Sequence, residues 1–127
     1  MRLKLARLAL LLLLAVALAP TTTAASLVVP ALHSRAGAGK VFYLNFVGAS
    51  IPSGTPWNSG AAFTVAAFSH DGDRTAISSD ELLQIKTIHA AVAEDFAPFD
   101  VDVTTEEATF TSAPLANRAT VIFTNSN

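Results

Sequence analysis

An α/β fold, with a small mixed sheet of three to four strands and one long amphipathic helix packed on it, is predicted by three features of this 127-residue chain. Leu82, Ile85, Ile88, His89, Val92 and Phe96 recur at three- and four-residue steps and mark one apolar helical stripe. Ser78-x-x-Glu81 is a capping-box pattern at the start of that stripe, and Pro98 disfavours helix at Ala97. Runs rich in β-branched and aromatic residues flank the helix, at 40–47 before it and at 100–105 and 119–124 after it.

The chain starts with a leader pattern. Arg2, Lys4 and Arg7 precede an uninterrupted apolar run over residues 8–18, and Ala-Pro-Thr-Thr-Thr-Ala-Ala-Ser follows. That order reads as a signal peptide over residues 1–25, cut after Ala24 or Ala25. The apolar run has eleven residues, short of the roughly 20 that cross a bilayer. Secretion without stable membrane association after cleavage is therefore expected, and the absence of cysteine excludes a lipid-anchored leader.

Residues 26–39 read as an irregular lead-in, and residues 40–127 as the folded portion. In Lys40-Val-Phe-Tyr-Leu-Asn-Phe-Val47, Phe42, Leu44 and Phe46 face one side while Val41, Tyr43, Asn45 and Val47 face the other. Both faces are largely apolar, which predicts an interior strand. Residues 48–60, dense in Gly, Ser and Pro, read as a loop that holds the only tryptophan, Trp57. Residues 63–68 suit a short strand, and His70-Asp-Gly-Asp-Arg a turn.

The helix follows, with Asp80 and Glu81 at the positive end of its dipole. Residues 100–105 alternate at period two, with Val101 and Val103 inward and Asp100, Asp102 and Thr104 on an expected solvated face. A loop through Pro114 leads to residues 119–124, read as a buried strand.

Removing the leader takes three of eight basic residues, leaving five against ten acids and a net charge of −5. Nucleic acid and anionic membrane surfaces are unsuited partners, since both require a basic footprint. With no cysteine in the chain, a disulfide scaffold and any thiolate metal site are excluded.

The candidate chemistry is sparse. No two of His33, His70 and His89 stand at i, i+4; His33 falls in the lead-in and His89 on the apolar stripe, as a core histidine with one hydrogen-bond partner. Asp71 and Asp73 flank Gly72 in a way that suits an Asx turn better than a calcium loop, which needs six to eight oxygens. Asp95, Asp100, Asp102, Glu106 and Glu107 form an acidic run that reads as a solvated face rather than a catalytic pair. There is no Gly-x-Ser-x-Gly elbow and no phosphate-binding loop. Catalytic, metal and cofactor-binding residues are accordingly assigned to none.

Leu32-His-Ser-Arg, the run from Val41 to Gly48, Thr55-x-Trp57-Asn58 and above all residues 93–106, Ala-Glu-Asp-Phe-Ala-Pro-Phe-Asp-Val-Asp-Val-Thr-Thr-Glu, carry a resemblance. The chain resembles the N-terminal part of secreted bacterial zinc metallopeptidases of the metzincin-like, reprolysin type. The resemblance implies an incomplete catalytic domain, with zinc as the cofactor of the full-length family and a protein or peptide substrate. In that family the first strand carries an Asp-Phe-Asp-Gly-His-like stretch, matched here by Asn45, Phe46, Val47, Gly48 and Ala49. Two acids and a histidine are thus absent, and their roles do not carry over.

The family's His-Glu-x-x-His helix should follow the strand at 119–124 after further chain; this sequence contains none. An exported scaffold fragment, inactive alone, is the expectation, with a free-standing binding module as the alternative. A hydrolase built on Asp100 or Asp102 is the third reading.

Overall fold

The computed structural model describes residues 27–55 and 58–125. The leader expected at 1–25 and the loop tryptophan Trp57 lie outside the described residues. In chain order the elements are β1 (Lys40–Asn45), β2 (Ala49–Ile51), β3 (Phe63–Val65), α1 (Ser79–Asp95), β4 (Val101–Thr104), α2 (Glu107–Ser112) and β5 (Arg118–Ile122). A single 3-10 turn, Leu115–Asn117, precedes β5.

The fold is the expected α/β one. β1 is the central strand of a three-stranded sheet in the order β4-β1-β5, and it pairs parallel to both neighbours. Parallel neighbours need crossovers, which α1 and α2 provide between β1 and β4 and between β4 and β5. β2 and β3 form a separate antiparallel pair. The core follows from the alternation of β1. Leu44 and Phe46 join Val103 and Ile85 in a fully buried cluster, with Phe42, Ile88, Val92 and Phe96 packed against it. Phe46 stacks on Phe123 at 4.6 Å and meets Phe68 edge-on at 5.7 Å. On the opposite face Tyr43 stacks on Phe110 of α2 at 5.3 Å, and Arg118 lies over the same ring.

α1 starts as its sequence predicts. The Ser78 hydroxyl accepts from Glu81 N–H, and the Glu81 carboxylate accepts from Ser78 N–H at 2.9 Å. Glu81 is fully buried and also accepts from His70 N–H at 2.6 Å, so the helix cap anchors the turn before it. Its carboxyl is lowered from 4.5 to about 2, chiefly by the Ser78 N–H, with burial opposing and the His70 N–H assisting. A depressed carboxyl stabilises the fold fully above pH 4.5 and loses that contribution as pH falls through about 2. In urea denaturation, the stability gap between wild type and Glu81→Gln should shrink across that window. A gap of constant size would contradict this account.

Three elements depart from the sequence reading. β2 and α2 form where loops were expected. Residues 119–124 were read as a buried strand, but β5 is an edge strand and Val121 is 37% exposed. It is an edge because only β1 pairs with it and α1 packs over β4 rather than β5.

Candidate functional site

In parallel sheets ligands gather at the carboxyl ends of the strands. Here those ends are Asn45 of β1, Thr104 of β4 and Ile122 of β5. Beside the first two lies an open cleft of about 500 Å³. The lead-in forms one wall through Leu27, Val28 and Val29, and Tyr43, Thr105 and Glu106 are on the others.

The lead-in reaches this position by lying antiparallel along the free edge of β4. His33 bridges Thr104, Ser34 N–H donates to Val103 carbonyl at 3.0 Å, and Thr105 N–H donates to Leu32 carbonyl at 3.2 Å. The Thr105 hydroxyl accepts from Leu32 N–H at 2.9 Å and donates to Pro30 carbonyl at 2.6 Å.

Asp102 and Thr104 therefore do not form a solvated face. The lead-in covers them, and Asp102 is only 1% exposed. A buried carboxylate needs donors, and Asp102 has three. Its Oδ1 accepts from Ser34 N–H and Arg35 N–H, both at 3.1 Å, and its Oδ2 lies 2.7 Å from His33 Nδ1. His33 is thus no free loop residue. The other ring nitrogen, Nε2, stands 3.4 Å from Glu106 Oε2, and Thr109 donates its hydroxyl to that same oxygen. His33, Asp102 and Glu106 are brought together at one end of the sheet.

The remaining candidates stay apart. His89 is half-buried rather than in the core, and its Nε2 meets Val103 carbonyl at 2.9 Å as its one partner. Asp71 accepts from Asp73 N–H at 2.9 Å, and Asp73 from Thr75 N–H at 2.8 Å, so both close Asx-type turns. The Thr75 hydroxyl and N–H hold the Asp73 carboxyl below its ordinary range. His70, Asp95, Asp100 and Glu107 are exposed, with Asp100 accepting from Gly39 N–H at 3.0 Å. Asn45 is buried and shapes the end of β1, donating to Gly48 carbonyl at 3.1 Å and accepting from Val47 N–H at 2.9 Å.

Among the described residues no group of three or more His, Asp or Glu side chains converges on a metal position. No helix among them is long and apolar enough to cross a membrane. Another groove, of about 610 Å³, lies at the opposite end of the sheet against Phe96 and Phe99. Its one carboxylate, Asp100, is already engaged by Gly39 N–H.

Tyr43 reports on the cleft. Burial, reinforced by the negative charge of Glu107, raises its phenol from 10.0 to about 12. The stabilisation attached to the neutral phenol is complete below pH 10 and is lost as pH rises through about 12. Tyr43 is the only tyrosine, so phenolate absorbance of the folded protein should show one midpoint near 12, moved down by Glu107→Gln. A midpoint near 10 in the folded protein would contradict the assignment.

Comparison of the chain with protein families, curated proteins and solved structures finds no match.

Proposed function

We infer that residues 40–127 are scaffold of a secreted zinc metallopeptidase catalytic domain, exported by the leader at 1–25 and unable to hydrolyse peptides alone. The sequence resemblance carried by residues 93–106 motivates the reading. The observation that supports it best is the contrast between the two edges of the sheet. The lead-in covers the β4 edge, whereas β5 pairs only with β1. β5 reads Arg-Ala-Thr-Val-Ile, without a proline and with its one charge, Arg118, at the first residue and turned onto Phe110 of α2. Edge strands that face solvent carry charges or prolines along their length, so the unguarded remainder suits continuation of the sheet beside a zinc-bearing helix.

The test has two parts. Coding DNA downstream of Asn127 should contain a His-Glu-x-x-His string, and the 127-residue product should leave casein intact. Chelator-sensitive cleavage by the isolated chain, or unrelated sequence downstream, overturns the reading.

The same open edge favours a second reading, a secreted binding module that takes an added strand from a partner. A module should unfold cooperatively as a soluble species, whereas an exposed scaffold should self-associate through β5. In the latter case Val121→Lys, which places a charge on the edge strand, should raise the monomer fraction on gel filtration without altering the circular dichroism. An unchanged elution profile would remove β5 as the sticky surface.

A further inference from the structure

We propose that His33 and Glu106 form a weak site for a borderline divalent metal ion such as Zn²⁺, separate from any zinc helix and independent of the peptidase reading. Three features of the geometry lead there. First, His33 Nδ1 is engaged by a buried carboxylate at 2.7 Å, the outer-sphere partner that metal-bound histidines use to fix tautomer and ring orientation. With Nδ1 held on Asp102, Nε2 is the ring atom turned toward Glu106.

Second, Nε2 and Glu106 Oε2 are 3.4 Å apart. Tetrahedral zinc, with bonds of about 2.0–2.2 Å to nitrogen and oxygen, places two such donors about 3.3–3.5 Å apart. The separation lies within ion-pair range when the ring is protonated, and it matches a metal bite once that proton is displaced. Third, both donors are preorganised. Asp102, itself pinned by two backbone N–H groups, holds His33, and the Thr109 hydroxyl holds Glu106.

The two side chains are 27% and 41% exposed, which leaves an ion free to enter and to keep water. With only two protein donors, the other coordination positions go to water or to a ligand in the adjoining cleft. Such a site binds far more weakly than a structural zinc centre with four protein ligands.

The experiment is a Zn²⁺ titration of the untagged protein, followed by the ring ¹⁵N signals of its three histidines. His33 Nε2 should move first and saturate, with His70 and His89 following only at higher Zn²⁺. His33→Gln should abolish the first, saturating phase and Glu106→Gln should weaken it about tenfold or more. Thr109→Val, which removes only the outer support, should weaken it about tenfold. Amide spectra of the three variants serve as the control for folding. The proposal is overturned if His33 stays unmoved while His70 or His89 shifts, or if folded Glu106→Gln binds as wild type does. Neither result bears on the downstream His-Glu-x-x-His test, so the two ideas fail separately.

Discussion

Gly48→Ala is expected to cost about 3 kcal/mol or more, the sum of about 1–3 for a disallowed backbone angle and about 1–3 for overpacking. Gly48 sits between β1 and β2 at φ +79°, where side chains are strained. A Cβ there would lie 2.5 Å from Val65 carbonyl oxygen, 2.8 Å from Ala67 nitrogen and 2.9 Å from Ala66 carbonyl carbon. All three contacts are main-chain atoms at the end of β3, so relief requires moving a strand rather than rotating a side chain. Gly54→Ala is the control. Its φ is +74°, but a Cβ there meets nothing within 4 Å, so only backbone strain of about 1–2 kcal/mol remains. Chemical denaturation of both variants checks the pair. Equal losses would mean that the approach of β3 to Gly48 carries no energy.

Asp102→Ala is expected to cost about 3 kcal/mol, well under three hydrogen bonds to a carboxylate at about 1.5–3 each. The loss is reduced because Arg35 is exposed enough for water to reach its freed N–H, and Ser34 N–H keeps the Val103 carbonyl. Damage should concentrate on the lead-in, which loses three of the bonds that hold it to β4. Trypsin should therefore cut after Arg35 much faster in the variant, well before cleavage after Lys86 in α1. Simultaneous cleavage at both sites would show that Asp102 supports the whole fold rather than the edge.

The parts of this fold that could be read from sequence are those whose signal is local. The α1 cap is written in Ser78 and Glu81, three positions apart, which bind each other in the capping box. The alternation of β1 separates its two buried faces because each residue's side is fixed by its neighbour. Asp102 was not readable in this way. On a strand of alternating Val and Asp, period two says only that Asp102 points away from Val101 and Val103. What covers that face depends on a segment 69 residues earlier in the chain. The same distance hid the role of His33, whose neighbours Leu32 and Ser34 give no sign of a partner carboxylate. A usable hint did exist in Thr104 and Thr105 beside Asp102, since hydroxyls and a carboxylate in series can satisfy a second backbone. β5 failed in the opposite direction. Its composition suits burial, but its place at the edge follows from strand order, which no residue in it encodes.

The strap of residues 29–35 along β4 also constrains when this protein can become folded. The side-chain bonds that fasten it span 62 to 75 residues of sequence, and such non-local pairing is slow because loop closure is paid first. Residues 29–35 have nothing to dock on until residue 105 has been synthesised. Everything N-terminal to the strap therefore stays joined to loose polypeptide until β4 has formed, and the length of that interval is set by how far β4 lies along the chain.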